Sequence, residues 1–409
     1  IPEASILAHV GRTLSIADAL PADSFTALFA CDGKHAHHVD RADYARHVLY
    51  TRPREELLGR LKRGGSAFDE VALRRYVEAE VALLEEMRPD LVVGDFRPSL
   101  AISASAVGVP YVCITNAVWT PFVSFSLDPP ASWLPTRILG KRVLRALRPL
   151  LEGRVFARYA APFNRVAAEY DVPPRDDIRE WMCSSECTLL ADVPDFFPTA
   201  NLPDHFRYIG PVFWEPADAA PDWLGELKSG GEGAIVYLTM GSTGPEADIR
   251  QITDALLDEG HRVVSTGSSR VMEGRGRASG RLYCAPLLPG MKLCALADVV
   301  VCHGGNGTIY QALSQETPVV GVPEFHDQDF NLQRVEALGV GRAAGSVSGV
   351  INAVRDVLAD GAFNRQAEAF KRELKEWDGP CAAADVLGEI LRGRLHRSNL
   401  EEKEGDVHP

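Results

Sequence analysis

The sequence has 409 residues, of which 46% are hydrophobic and 24% are charged, as is usual for a soluble globular protein. The 43 basic and 56 acidic side chains give a net charge of −13, which argues against nucleic acid as a partner, because binding a phosphate backbone needs clustered lysine and arginine. No run approaches 18 uncharged apolar residues, so no membrane span is expected. Eight cysteines are too few for a disulfide scaffold and favour a cytoplasmic location.

Short apolar runs alternate with turns and helical patterns along most of the chain. The sequence predicts strands at Leu91–Asp95, Pro110–Ile114, Ala234–Leu238, Arg262–Val264, Val299–Val301 and Pro318–Val322. Continuous apolar strands that alternate with helices are typical of parallel sheets covered on both faces. We therefore expect an α/β protein.

The alternation breaks between about Gly210 and Gly233, where first prolines and then glycines are concentrated, as in a linker. The predicted division is an N-terminal domain over residues 1–212, a linker over 213–229 and a C-terminal domain over 230–375. A last helix at 376–396 could pack on either domain. Residues 397–409 are charged and lack aromatic side chains, so we expect them to be disordered.

A glycine-rich turn follows the predicted strand Val299–Val301. The segment His303–Thr308 contains three glycines, and a helical pattern begins at Ile309. Glycines let the backbone approach a ligand closely, and the start of a helix offers unpaired N–H groups and a positive partial charge. The turn therefore suits a phosphate group, although a lone Gly-Gly-x-Gly is more often an ordinary strand–helix turn.

Asp327 and Gln328 follow the next predicted strand and so lie at the same edge of the sheet. In doubly wound sheets, ligands bind at the carboxyl ends of the strands. A carboxylate beside an amide suits the vicinal hydroxyls of a sugar. The two segments together predict a pocket for a nucleotide sugar.

The segment His303–Thr308, the residues Gln311–Leu313, Pro323 and the pattern Asp327-Gln328-x-x-Asn331 resemble the donor-binding signature of GT-B fold glycosyltransferases. The branch most similar to this chain is that of bacterial natural-product glycosyltransferases. The resemblance implies two Rossmann-like domains that face each other across a cleft. It also implies an inverting, metal-independent hexosyltransferase that needs no cofactor, with a UDP- or dTDP-sugar as co-substrate and a hydroxyl of a lipophilic small molecule as acceptor.

The resemblance assigns donor-binding roles to particular residues. His303 and the following turn would hold the pyrophosphate together with the loop after Ala234–Leu238, while Asp327 and Gln328 would bind the sugar. The base would lie against Leu287 and Leu288. The implied donor residues are Gly241, Ser242, Thr243, Leu287, Leu288, His303, Gly305, Asn306, Gly307, Thr308, Gln311, Asp327 and Gln328.

Two positions depart from the family pattern. Gly290 occupies the position at which the family has glutamine or histidine. Gln311 occupies the position at which the family has a glutamate that binds the ribose. An amide can still bond to the ribose but carries no charge. The choice between UDP and dTDP therefore stays open.

His9, at the start of the helical pattern His9–Leu20, matches the general base of the family, and Asp95 matches its dyad partner. Imidazole suits proton abstraction near neutral pH, and a carboxylate behind it fixes the tautomer. Taken alone, a histidine before a helix is more often structural. Family members have an apolar strand directly before this loop, and a central strand cannot be absent without leaving backbone groups unpaired. We therefore expect residues before Ile1.

The stretch from Trp119 to Leu134 is dense in aromatic and apolar residues, with a period of neither 2 nor 3.6, so a loop is expected. In the related fold this segment forms the wall of the acceptor pocket. Trp119, Phe122 and Phe125 are therefore candidate acceptor residues. The alternative is a hydrophobic cluster beneath a long loop.

No metal site is predicted. His35, His37 and His38 lie in one polar segment with Asp32 and Asp40, which favours a solvated loop. Cys183 and Cys187 have no matching second pair.

Two other functions share this architecture. A nucleotide-sugar epimerase has no acceptor, which the apolar stretch after Trp119 disfavours. A non-catalytic homologue acting as a partner protein would be expected to lose the His9–Asp95 pair, and both residues are present. The sugar, the acceptor scaffold and the oligomeric state, a homodimer included, stay open.

Overall fold

The computed structural model describes residues 1–62, 66–125, 128–129, 134–215, 221–227, 231–241, 245–266, 280–285 and 287–405. The chain forms two compact units. Unit 1 contains residues 1–124, 150–214 and 377–409, and unit 2 contains residues 125–149 and 215–376. The chain passes from unit 1 to unit 2 after residue 214, inside the predicted linker 213–229, whereas residues 125–149 belong to unit 2 and the last helix belongs to unit 1.

The described residues form fifteen α-helices, three short 3-10 helices and twelve strands. The helices are α1 (Leu7–Asp18), α2 (His37–Arg41), α3 (Arg54–Lys62), α4 (Glu70–Met87), α5 (Leu100–Val107), α6 (Leu134–Leu139), α7 (Lys141–Ala168), α8 (Ile178–Met182), α9 (Glu246–Asp258), α10 (Gly290–Leu296), α11 (Asn306–Ser314), α12 (His326–Ala337), α13 (Val350–Ala359), α14 (Ala362–Leu374) and α15 (Gly379–Gly405). The strands are β1 (Phe29–Ala30), β2 (Arg46–His47), β3 (Val92–Asp95), β4 (Tyr111–Thr115), β5 (Cys187–Leu190), β6 (Phe206–Tyr208), β7 (Ile235–Thr239), β8 (Arg262–Thr266), β9 (Leu282–Ala285), β10 (Val299–Cys302), β11 (Val319–Gly321) and β12 (Gly341–Ala343).

Unit 1 is built on a parallel sheet of four strands in the order β3-β4-β5-β6. Side chains of β4 alternate between two cores: Cys113 packs in one cluster, and Val112 and Ile114 pack in another. This alternation shows that the sheet is covered on both faces, as the apolar runs predict. The first residues pair with the outer side of β3, where the N–H of Glu3 donates to the carbonyl of Asp95 at 3.0 Å.

Unit 2 is built on a parallel sheet of six strands in the order β9-β8-β7-β10-β11-β12. Counted from β7, this is the order 3-2-1-4-5-6 of the Rossmann fold. The direction of winding reverses between β7 and β10, so ligands are expected in the crevice at the carboxyl ends of these two strands. The segments after them carry Gly241 and His303.

The last helix, α15, continues to Gly405, so the disorder predicted from residue 397 is wrong for 397–405. Ala383 and Leu387 on its first turns are buried in a core of unit 1, which anchors the helix. The following charged stretch is rich in leucine, glutamate and lysine, which continue a helix readily once packing has nucleated it. Residues 406–409 lie outside the described part.

The prediction of a solvated loop at the three neighbouring histidines is wrong for two of them. His35 and His38 are only 6% and 7% exposed, and the edge of His38 packs on Trp214 with the ring centroids 5.0 Å apart. Contacts between aromatic rings take the place of the contacts with water that the polar sequence suggests. In the described parts of the chain, no group of histidine, cysteine or acidic side chains has an arrangement able to hold a metal, and no helix is long and apolar enough to cross a membrane.

Candidate active site

His303 directly follows β10, and its ring is packed between two glycines of unit 2. A Cβ atom at Gly241 would lie 2.7 Å from Cε1 of His303, and one at Gly305 would lie 2.9 Å from the same atom. Gly241 also has a φ of +60°, which side chains disfavour. The glycines therefore make room for the imidazole at the crevice between β7 and β10.

The imidazole of His303 is suited to donate a hydrogen bond rather than to carry a charge. Burial lowers its pKa to about 4, so it is neutral at physiological pH. Its Nδ1 atom is buried and has no hydrogen-bond partner within the described ranges. A buried polar atom of this kind calls for a ligand or water, and a phosphate oxygen is a suitable acceptor.

Helix α11 begins at Asn306, three residues after His303, and Gly305 at its N-cap provides no side-chain bond to the first turn. Its first backbone N–H groups are not used within the helix, and the helix dipole makes this end positive. The N-terminus of α11 and His303 together offer hydrogen-bond donors of the kind that an anion needs. Ser242 and Thr243, predicted for the same site, lie outside the described residues.

Asp327 and Gln328 lie in the first turn of α12 but differ in their surroundings. Gln328 is 4% exposed, and its Oε1 accepts hydrogen bonds from the N–H groups of Glu324 and Phe325 at 2.8 and 3.1 Å. Its carbonyl therefore caps the helix, while Asp327 is half-buried. Asn331 donates from Nδ2 to the carbonyl of Gly304 at 2.9 Å and so connects α12 to the glycine turn.

The two positions that depart from the family pattern are in contact. A Cβ atom at Gly290 would lie 2.9 Å from Oε1 of Gln311. The amide of Gln311 thus occupies the space that a side chain at Gly290 would need. In the predicted base slot, Leu288 is buried and Leu287 is 38% exposed, so Leu287 is the accessible side chain of the pair.

In unit 1, the structure places His9 and Asp95 in direct contact, as the sequence predicts. Nδ1 of His9 lies 2.8 Å from Oδ1 of Asp95, and the two side chains are 14% and 0% exposed. His9 belongs to the first turn of α1, and Asp95 ends β3. Because the ionised carboxylate accepts, Nδ1 carries the proton and Nε2 has a lone pair available for a substrate hydroxyl.

Arg12 also binds Asp95, and the sequence analysis did not predict it. Its Nε donates to Oδ2 at 2.6 Å and its Nη2 donates to Oδ1 at 2.5 Å. Burial alone would raise the pKa of Asp95, but the charge of Arg12 and the hydrogen bonds from Arg12 and His9 hold it below its usual value. The available signal was the spacing, since residues three apart share one face of a helix.

Phe96 was also missed, and its ring lies flat on the imidazole of His9. The ring centroids are 5.0 Å apart with an interplanar angle of 7°, and Trp119 meets Phe96 edge-on at 5.5 Å. Phe96 has a left-handed φ of +50°, which is unfavourable for a bulky side chain. The next residue, Arg97, is fully buried in a salt bridge with Glu80. Anchors on both sides therefore hold Phe96 against the dyad.

The three aromatic residues predicted for the acceptor each contact a different side chain. Trp119 contacts Phe96 beside the dyad. Phe122 packs edge-on against Phe206 at 5.1 Å. Phe125 belongs to unit 2, where the guanidinium of Arg334 lies 4.5 Å from its ring centroid.

Comparison with known proteins shows the family to which the chain belongs. Residues 131–372 match the family profile described as UDP-glucoronosyl and UDP-glucosyl transferase. A "PGL/p-HBAD biosynthesis glycosyltransferase" of Mycobacterium tuberculosis is 34% identical over 387 residues, covering 93% of this chain and 88% of the relative. A "PGL/p-HBAD biosynthesis rhamnosyltransferase" of Mycobacterium bovis is also 34% identical and covers 91% of this chain and 84% of the relative.

Solved structures with the same fold include two natural-product glycosyltransferases. The spinosyn rhamnosyltransferase SpnG has a TM-score of 0.67 at 16% identity, covering 95% of this chain and 98% of that one. The glycosyltransferase VinC, in complex with DTDP, has a TM-score of 0.65 at 18% identity, covering 96% and 97%. The family profile spans more than half of the chain and the mycobacterial relatives nearly all of it, so the protein belongs to the UDP-glucoronosyl and UDP-glucosyl transferase family and is a glycosyltransferase with two Rossmann-like domains.

Proposed function

We propose that the protein is an inverting glycosyltransferase that moves a sugar from a UDP- or dTDP-sugar to a hydroxyl of a lipophilic small molecule. The observation that carries the proposal is the contact between Nδ1 of His9 and the fully buried Asp95, which leaves Nε2 of the imidazole available to accept a proton. A catalytic base of this kind is needed to activate an acceptor hydroxyl. An isomerisation of the donor alone involves no such hydroxyl.

The proposed reaction is a single displacement. Nε2 of His9 takes the proton of the acceptor hydroxyl while the oxygen forms a bond to the anomeric carbon of the sugar. The bond from that carbon to the diphosphate breaks with its electron pair, and the nucleoside diphosphate leaves. Attack opposite the leaving group inverts the configuration of the anomeric carbon.

The leaving diphosphate gains negative charge in this step, and unit 2 offers groups to stabilise it. The N–H of neutral His303 and the first N–H groups of α11 are preorganised donors that need no reorientation. The proposal therefore requires no cofactor beyond the nucleotide-sugar co-substrate. We assign the half-buried Asp327 to the sugar hydroxyls and Gln311, beside Gly290, to the ribose.

We infer the acceptor class from the aromatic surroundings of the base and from the relatives. Phe96 and Trp119 place two aromatic rings next to His9, which suits a lipophilic acceptor. The curated relatives act in PGL/p-HBAD biosynthesis, and SpnG has been solved with spinosyn aglycone. The eight free cysteines support a cytoplasmic location.

Calorimetric titration with UDP, dTDP and GDP in the presence of a chelator tests the donor site. We expect micromolar binding of UDP or dTDP. His303→Ala should weaken this binding by roughly 10- to 100-fold, the effect of losing a hydrogen bond to a charged group. His261→Ala is the matched control, because His261 is also a half-buried histidine of unit 2 with a buried Nδ1 but precedes β8, at the amino edge of the sheet. Equal affinities for the two variants would contradict the role of His303, and no binding of any nucleotide by the unaltered protein would contradict the donor site.

A further inference from the structure

Arg12 and His9 share one carboxylate. They lie on the same face of α1, and Arg12 donates to both oxygens of Asp95, at 2.5 Å to Oδ1 and 2.6 Å to Oδ2. Oδ1 is also the acceptor for Nδ1 of His9 at 2.8 Å. The dyad that is expected to act as a base is therefore a triad of histidine, aspartate and arginine.

The two hydrogen bonds from the guanidinium of Arg12, called the fork below, fix the plane of the Asp95 carboxylate. A guanidinium that binds both oxygens leaves the carboxylate little freedom to rotate. Nη1 of Arg12 donates to Oδ1 of Asn116 at 3.2 Å, and Nδ2 of Asn116 donates to Asp192 at 3.1 Å. These bonds connect the carboxyl ends of three neighbouring strands, β3, β4 and β5, so the orientation of Asp95 is set by the sheet itself.

Arg12 also changes the charge that His9 faces. An arginine keeps its positive charge at every pH at which a protein is folded. A carboxylate already paired with a cation stabilises an imidazolium less than an unpaired carboxylate does. The triad should therefore hold a proton on His9 less firmly than a simple dyad would.

Other ionisable groups face this triad and have to be considered. Near Asp95 and Arg12 these are Tyr111, Cys113 and Asp192. Burial raises the pKa of Cys113 to about 12 and that of Tyr111 well above its usual value, so both stay neutral at physiological pH. Arg12 is thus the permanent cation in contact with Asp95.

We propose that Arg12 is a positioning residue of the His9–Asp95 dyad, which orients the carboxylate and extends the activity of the base to lower pH. The consequence for catalysis rests on the proposed function, whereas the effect on the titration of His9 does not. Arg12 has no assigned contact with substrate.

The direct test is an NMR titration of the protein labelled with ¹⁵N-histidine, with the His9 signal identified by its loss in His9→Gln. Arg12→Gln removes the cation, so Asp95 then stabilises the imidazolium more strongly. The midpoint of the His9 titration should move to higher pH by about 0.5 to 1 unit. Arg46→Gln is the matched control, because Arg46 makes a similar forked pair with Asp40 at 2.6 and 3.0 Å in unit 1. A midpoint that is the same in Arg12→Gln and the unaltered protein would overturn the proposal.

Activity gives a second readout that separates charge from orientation. In Arg12→Gln, the acidic limb of kcat/KM against pH should move in the same direction as the NMR midpoint, while KM for the donor stays constant. Arg12→Lys keeps the charge but loses the fork, so kcat should fall without a shift of the limb. If Arg12→Gln does not fold, the lysine variant carries the test, and wild-type kcat in that variant would contradict the orienting role. Because the titration needs no substrate, a shifted midpoint in a protein that transfers no sugar would contradict the proposed function alone.

Discussion

Replacing His9 with alanine is expected to lower kcat for glycosyl transfer by about two to four orders of magnitude, the usual contribution of a general base. Donor affinity should stay within about twofold, because the proposed mechanism gives His9 a contact with the acceptor hydroxyl and none with the nucleoside diphosphate. Initial rates of product formation measure the first effect, and calorimetry with the nucleoside diphosphate measures the second.

His205→Ala is a suitable control for this experiment. His205 is an exposed histidine of the same unit, and its ring centroid lies 4.7 Å from that of Phe206, so its removal should leave kcat nearly unchanged. If His9→Ala kept more than about a tenth of the wild-type kcat, the dyad would have no place in the mechanism.

Glu80→Gln is expected to lower the free energy of unfolding by about 3–5 kcal/mol, the effect of leaving one charge of a buried ion pair uncompensated. Glu80 and Arg97 are both 0% exposed, and Nε of Arg97 donates to Oε1 of Glu80 at 2.6 Å. The hydroxyls of Ser99 and Ser103 also donate to Glu80, each at 2.7 Å. Loss of the carboxylate therefore breaks the hydrogen-bond network that anchors Arg97. Because Arg97 directly follows Phe96, this network also holds Phe96 beside His9.

Chemical denaturation measures this change, with Glu70→Gln as the matched control. Glu70 also pairs with arginines from α4 and α7, but these pairs are partly exposed, and an exposed pair contributes about 1 kcal/mol or less. A difference of less than about 1 kcal/mol between the two variants would show that the buried pair is not needed for stability.

The parts of the site that are contiguous in sequence are the ones that could be predicted best. The strand, the glycine turn and the helix around His303 follow each other within about fifteen residues, so local rules for turns and helix starts apply to all of them. The sheet order then explains why this segment, and the loop with Gly241, meet at one crevice.

Contacts between residues that are far apart in the sequence were harder to predict. The pair His9 and Asp95 was predicted through the resemblance to a family, but no pattern marks Phe96, and the spacing of Arg12 from His9 does not by itself show what Arg12 binds. An arginine on an amphipathic helix is usually solvated, and only the position of β3 shows that this one reaches a buried carboxylate. The aromatic run after Trp119 shows that aromatic side chains are concentrated there, but it does not show where each of them packs. It therefore did not reveal that Phe122 and Phe125 belong to different units.

Polar composition led to two other errors, because it was taken as a sign of solvent exposure in one segment and of disorder in another. His35 and His38 occur in a polar stretch, yet packing on Trp214 and on each other buries them. The charged residues after 397 were expected to be disordered, yet they continue α15, because helix propagation depends on the turn before as well as on composition.

The central claim is transfer with inversion from a nucleotide sugar to a hydroxyl, and the configuration of the product tests it most directly. The protein is incubated with UDP- and dTDP-sugars, with and without a panel of lipophilic phenols and alcohols, and the anomeric proton of any new glycoside is observed by NMR. The proposed single displacement predicts a glycoside of inverted configuration, equal amounts of glycoside and nucleoside diphosphate, and no change of the donor when the acceptor is absent. A glycoside of retained configuration, or conversion of the donor alone into an epimer, would contradict it.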